Sequence, residues 1–139
     1  MRKESSHISY KEGYKYQLTC DAWFRVDIYG YSIETKYITL YDDGWIWIKA
    51  GYAWDGASGP TIDTKNSMRG SLLHDAIYQL LRTGLLPSKY RLVGDRELEI
   101  RCVEDGMWKI RAELWEKALR EFGKDAADPK NKKQEIWAP

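Results

Sequence analysis

The chain changes its hydrophobic period once, and the change falls at the stretch "WDGASGP", residues 54 to 60. Before it, "YKYQLTC", "AWFRVDIYG", "KYITLY" and "WIWIKAGYAW" alternate in steps of two and are rich in aromatic and β-branched residues, which suit a pleated, half-buried surface. The last two runs are joined by "DDG", a hairpin signal. These runs predict four or five antiparallel strands. After residue 64 the period moves to 3.6: "SMRGSLLHDAIYQLLRTG" carries Leu72, Leu73, Ile77, Leu80 and Leu81, ends at Gly84 and is followed by Pro87. A second helix is expected from about Leu92 to Glu104, ending at "EDG", and a third from about Met107 to Phe122, ending at Gly123. Strands first and helices afterwards give an α+β fold, an N-terminal antiparallel β-sheet followed by about three C-terminal helices.

With 139 residues the chain can bury one core, so a single α+β domain over residues 1–123 is expected, with a polar tail over 124–139. The 22 Lys and Arg against 21 Asp and Glu leave a formal charge of +1, so no nucleic-acid partner is expected. Two cysteines, Cys20 and Cys102, are too few for a disulfide framework and are expected as reduced thiols. No run of eighteen apolar residues exists and no apolar core follows the charged N-terminus, so neither a transmembrane segment nor a signal peptide is expected. Seven Trp and ten Tyr against two Phe favour rings with a polar handle, which serve half-wet surfaces and interfaces. Trp45 and Trp47 share one strand face by period two; whether that face is core or exposed is left open by the pattern.

Chemistry concentrates where the two periods meet. His74 and Tyr78 are four apart and share a helix face, while Asp75 points about 100° away, close enough to border the same pocket. On the second helix Leu92, Asp95, Leu98 and Cys102 recur at steps of three and four, which places one carboxylate in an apolar stripe. A buried carboxylate needs donors, and on an antiparallel neighbouring helix His74 and Tyr78 supply them. The three groups would equally satisfy one another as a hydrogen-bond network tying the helices together. Upstream, Gly56, Ser58 and Gly59 allow close backbone approach, and loop carbonyls with Asp55 and Asp75 make an oxygen-only set suited to calcium. A pocket is expected between residues 54–60 and the first two helices.

Two resemblances follow from these motifs. "WDGASGP", "HDAIY", Arg91 with "GD" at 94 and 95, and "REFG" at 120 to 123 resemble a family of small uncharacterised bacteriophage proteins over roughly residues 37 to 123. That resemblance implies a phage protein in the host cytoplasm or carried in the virion. More locally, DG with a small residue and Ser, HD with Tyr four after the His, and a later helical Asp are similar to the secreted bacterial and fungal phospholipases A2. This resemblance implies His74 as the base that activates water, Asp75 as calcium ligand, Asp95 as the carboxylate orienting the His, and Tyr78 as its brace, acting on a lipid or other ester. The chain departs from those enzymes in its β-rich first half and its two cysteines.

Other readings meet obstacles in the residues themselves. An HD phosphohydrolase or a zinc amidase needs further metal-binding histidines, and the only other one is His7 in the N-terminal arm. Ser58 with His74 and Asp95 would make a hydrolase triad, but "DGAS" lacks the strand-to-helix elbow that activates a serine. The competing class is non-enzymatic: a virion component, or a protein that binds a host protein through aromatic anchors on the sheet.

Overall fold

A computed structural model describes residues 2–12, 16–56, 65–122 and 128–129. The order of elements is β1 (Tyr10–Lys11), β2 (Tyr16–Leu18), β3 (Ala22–Arg25), β4 (Ile33–Glu34), β5 (Ile38–Leu40), β6 (Trp45–Ile48), β7 (Ala53–Trp54), α1 (Lys65–Arg82), a 3-10 turn at Ser88–Tyr90, α2 (Arg91–Glu104) and α3 (Lys109–Phe122). The fold is α+β, with antiparallel sheets from the first half and three helices after them. The polar tail from 124 lies outside the described residues apart from Asp128 and Pro129.

The strands are more numerous and shorter than their hydrophobic runs suggest. Among the described residues seven form two sheets, one of three strands in the order β1-β2-β7 and one of four in the order β3-β6-β5-β4. "WIWIKAGYAW" divides between them: Trp45–Ile48 pairs with β3 and β5, whereas Ala53–Trp54 pairs with β2. A turn at Lys49–Tyr52, closed by Tyr52 N–H donating to the Lys49 carbonyl at 3.2 Å, carries the chain from one sheet to the other. Alternation reports which face a residue occupies, not where a ladder stops. The "DDG" turn does join a hairpin, β5 to β6, with Asp43 Oδ1 accepting from Trp45 N at 3.3 Å.

One face of the four-stranded sheet supplies Phe24, Ile38, Leu40, Ile46 and Ile48 to a core completed by Leu72, Leu73, Ala76, Ile77 and Leu80 of α1. Trp45 and Trp47 lie on the other face and are half-buried. There Trp47 stacks on Trp23 with ring centres 5.2 Å apart, and Arg2 lies over Tyr41 at 4.0 Å. A second cluster, Leu98, Cys102, Met107, Ala112, Trp115 and Leu119, joins α2 to α3. Cys20 is exposed and Cys102 buried, and both are free thiols, with burial pushing the Cys102 thiol up to about 12.

Helix α1 ends as its sequence implies. Gly84 N–H donates to the Leu81 carbonyl at 3.0 Å and Leu85 N–H to the Leu80 carbonyl at 3.1 Å, the reciprocal pair that closes a helix at a glycine. The N-terminal arm is held by two buried arginines. Arg69 of α1 donates to the Ser5 carbonyl at 2.9 Å and forms ion pairs with Glu104 and Asp105. Arg101 of α2 donates to the Arg25 carbonyl at 2.8 Å and to Glu97 Oε2 at 2.8 Å, and also pairs with Glu4.

The hairpin turn yields a first prediction. Gly44 has φ +91°, and a Cβ there would stand 2.6 Å from the Val26 carbonyl oxygen, whereas Gly30, at φ +84°, faces open space. Both alanine variants meet the left-handed backbone cost of roughly 1–2 kcal/mol, but only Gly44→Ala must also displace backbone. Urea unfolding is expected to show a stability loss for Gly44→Ala at least twice that for Gly30→Ala.

Candidate functional site

The site grows from the α1–α2 pairing. The two helices run antiparallel across the turn at residues 83–90, as the close approaches of Gly94 to Ile77 and of Gly70 to Cys102 require. Glycine at 94 lets the backbones come together: a Cβ there would meet Ile77 Cγ2 at 3.2 Å and Tyr78 Cε1 at 3.5 Å. The inward face of α2 carries Gly94, Asp95, Leu98, Arg101 and Cys102. Leu92, expected in the same stripe, is instead exposed, because the centre of that face lies between Gly94 and Leu98, well over 90° from Leu92 around the helix.

Asp95 is completely buried, with 0% exposure. His74 Nε2 lies 2.9 Å from its Oδ1, and the Tyr78 hydroxyl donates to the same oxygen at 2.6 Å. The two rings, one helical turn apart on α1, are 4.1 Å between centres. Oδ2 makes no hydrogen bond among the described residues; the nearest charge is Arg91 Nη1 at 3.6 Å. Arg91 also donates to the carbonyls of Leu119 and Arg120 at 3.4 and 3.2 Å, so one guanidinium links the buried carboxylate to the last turn of α3. Burial, the hydrogen bond to Asp95 and the charge of Asp95 together raise the Tyr78 phenol well above its ordinary range, which keeps it a donor.

The structure thus brings His74, Tyr78 and Asp95 together and directs Asp75 elsewhere. The Asp75 carboxylate faces the chain leading into β7, where the Tyr52 hydroxyl stands 3.1 Å from both Asp75 Oδ2 and Gln79 Oε1 and shares its one proton between them. Burial raises the Asp75 carboxyl above the usual aspartate range, with the charge of Asp55 adding to the effect; Arg82, the Tyr52 hydroxyl and His74 pull it back. Asp55 is exposed and electrostatically coupled to both Asp75 and Tyr52. Gly56 is half-buried with φ +89°, and Ser58 and Gly59 lie outside the described residues.

Asp55 and Asp75 are the hard oxygen donors of this corner. No group of three or more His, Cys, Asp or Glu able to hold a metal ion occurs among the described residues. An open cavity of about 1100 Å³ lies at the opposite end of α1, bordered by Ser5, His7, Tyr10, Lys65, Arg69 and Glu104 among others. It belongs to the N-terminal arm and not to His74.

Several partners escaped sequence reasoning. Arg91 carried a signal, since it stands four residues before Asp95 and therefore on the same side of α2. Tyr52 and Gln79 carried less, because what joins them to Asp75 is the packing of the β7 segment on α1, anchored by Trp54 Nε1 donating to Ser71 Oγ at 3.1 Å.

No known protein family matches the chain, and no curated protein or solved structure is significantly similar to it.

The raised carboxyl of Asp75 sets a pH dependence. A group that binds its proton more tightly in the folded state favours folding below its unfolded pKa, and that contribution is lost as pH rises through the folded value. With a chelator present, Asp75→Asn is expected to be more stable than the parent at pH 7, and this advantage should shrink towards pH 4, close to the ordinary aspartate value of 3.8. Guanidinium unfolding of both proteins at the two pH values measures it.

Proposed function

We propose that this chain is a phage-encoded ester hydrolase in which His74 and Asp95 activate water, in the manner of the phospholipases A2 that its "DGAS" and "HDAIY" motifs resemble. The observation that carries the reading is the use of Nε2. Asp95 engages that nitrogen at 2.9 Å, so the neutral ring carries its proton there and presents Nδ1 as the acceptor. As water attacks an ester carbonyl, His74 Nδ1 takes its proton, and the same proton then passes to the departing alkoxide. Asp95 keeps the ring oriented and offsets its transient positive charge; the Tyr78 hydroxyl and the Arg91 guanidinium hold Asp95 in place.

Asp55 and Asp75 would hold the calcium of this reading, with backbone carbonyls completing its oxygen shell. Bound there, calcium would supply positive charge to polarise the ester carbonyl. The Tyr52 hydroxyl donates to Asp75 Oδ2 at 3.1 Å and so holds that carboxylate in place. The substrate class is a lipid or other ester met in the host cytoplasm.

A second reading has its own support. The depth of Asp95, and of His74 at 7% exposure, suits a network whose work is to join α1 to α2 in a non-enzymatic virion or host-binding protein. The half-buried stack of Trp23 and Trp47 then offers aromatic anchors on a rigid sheet.

Mass spectrometry of fatty acids and lysolipids released from bacterial membrane lipids separates the two. The hydrolase reading expects calcium-dependent release that falls by about 10²–10⁴-fold in His74→Ala, the range for losing a general base. In Asp95→Asn it expects a comparable fall with a cooperative unfolding transition retained. No release from folded protein with calcium present, together with a lowered melting temperature in Asp95→Asn, assigns the network to architecture.

A further inference from the structure

Strand β3 is an edge of its sheet, paired among the described residues with β6 alone. Its other side presents backbone groups of Trp23, Arg25 and Asp27. Trp23 N–H donates to Ser5 Oγ at 2.9 Å, and the Trp23 carbonyl accepts from Ser5 N–H at 2.7 Å. Arg25 N–H donates to Glu4 Oε1 at 3.3 Å, the Arg25 carbonyl accepts from Arg101 Nη2 at 2.8 Å, and Asp27 N–H donates to Glu97 Oε1 at 3.4 Å. Of these five bonds, only Ser5 N–H to the Trp23 carbonyl joins main chain to main chain, as a neighbouring strand would. The arm thus covers the edge without becoming a strand, and the edge keeps a capacity for strand pairing that the arm does not use.

The arm also shows what an added strand has to carry. On the outward face of the sheet Arg2 lies 4.0 Å from the Tyr41 ring and 5.1 Å from the Trp23 ring, with Asp43 Oδ2 at 3.9 Å, so this face takes a cation. On the inward side Arg101, 5.9 Å from the Phe24 ring, pairs with Glu4 and takes a carboxylate; its buried Nε makes no hydrogen bond among the described residues. Glu4 lies beside Arg25 and Ser5 beside Trp23, so the arm runs antiparallel to β3. Side chains of a strand alternate between faces, so a cation and an acid at neighbouring positions reach both groups. We propose that the free edge of β3 is a peptide-recognition site. It takes, as an added antiparallel strand, an extended segment of another protein in which an arginine or lysine is followed by an acid, and the N-terminal arm is its resident competitor.

The arm can be exchanged without stranding a buried charge. Arg101 keeps Glu97 at 2.8 Å, and Arg69 keeps Asp105 at 3.0 Å. Residues 2–7 include no apolar side chain, and the side chains of Arg2 and Glu4 are 39% and 33% exposed, so little hydrophobic burial is given up. An incoming strand sets a backbone carbonyl opposite Trp23 N–H, where the arm has only a hydroxyl, and another before Arg25 N–H. Such main-chain bonds are the source of affinity in strand addition, and the flanking charges select the sequence. Because the arm is tethered, it competes at a high effective concentration, and binding in trans is weak until the arm is loosened. The inference is independent of the hydrolase reading, since the edge shares no residue with the site of His74 and Asp95.

Fluorescence anisotropy of the full chain with the fluorescein-labelled peptide TVRETVT tests it. Ser5→Pro removes both bonds to Trp23 and Glu4→Ala removes the acid held by Arg101, so each variant is expected to bind the peptide about tenfold more tightly than the parent. A cooperative melting transition confirms that each variant folds. TVREPVT lacks the N–H that meets the Trp23 carbonyl and should not bind. TVAETVT and TVRQTVT should each bind more weakly, by about threefold or more. Asp43→Lys added to Ser5→Pro should lower the affinity for TVRETVT and leave that for TVAETVT unchanged. Equal binding by the parent and both arm variants overturns the proposal, as does equal binding of TVREPVT, or no binding by the folded variants up to about 1 mM peptide. Sedimentation equilibrium reads the other occupant. A parent that dimerises while Ser5→Pro stays monomeric assigns the edge to the arm of a second copy and overturns the peptide site.

Discussion

Everything around the helix pair depends on one fully buried carboxylate, that of Asp95. A lone ionised Asp at full burial would cost several kcal/mol, and the protein meets this with hydrogen bonds from His74 and Tyr78 on α1 and with the charge of Arg91, one turn earlier on α2, at 3.6 Å. The arrangement restricts both helices. His74 and Tyr78 must be a turn apart and face α2, and residue 94 must be small because a Cβ there would crowd Ile77 Cγ2 at 3.2 Å. The third helix is drawn in because the same Arg91 Nη1 donates to the carbonyls of Leu119 and Arg120 at the end of α3.

A second set of buried charges does comparable work at the far end of the helix pair. Arg69 and Arg101 carry the N-terminal arm and the strand that follows, and their guanidinium groups both lie within 6 Å of the Phe24 ring, at 5.8 and 5.9 Å. The arm is therefore part of the fold and not an appendage, since Ser5 pairs with the backbone of Trp23 on β3 while Arg69 holds its carbonyl. Burial raises Glu97, and Arg101 and the Asp27 amide hold it back, so this carboxylate too is balanced by its partners and not by solvent. The sheet, the arm and α2 are thus locked by polar contacts, and α1 and the sheet by apolar ones.

Much of this was legible residue by residue. The ends of α1 and α2 followed from Gly84 and from "EDG", because a helix that stops at glycine uses local hydrogen bonds that need no tertiary partner. The cluster of His74, Tyr78 and Asp95 followed from spacing and from the cost of burying charge. The division of the first half into two sheets did not follow, because period two records alternating exposure and is silent on which strand pairs with which. Nor did the turning of Asp75 towards Tyr52. Neighbouring residues on a helix differ by 100°, and whether that separates two sites or leaves them in one depends on what packs against the helix.

The chain's own pattern of apolar residues, glycines and one misplaced-looking aspartate was enough to establish an α+β order, the three helices, and a carboxylate that must meet donors on a neighbouring helix. These rest on local geometry and on the free energy of leaving water, both of which act within a few turns of chain. Tertiary structure alone decided that Arg91 completes the Asp95 site and binds the end of α3, that Tyr52 rather than His74 attends Asp75, and that Trp108, Ile110 and Leu114 stay outside. Each of those outcomes depends on the rotation of one element against another, and that rotation is a compromise among all the faces that have to be buried at once.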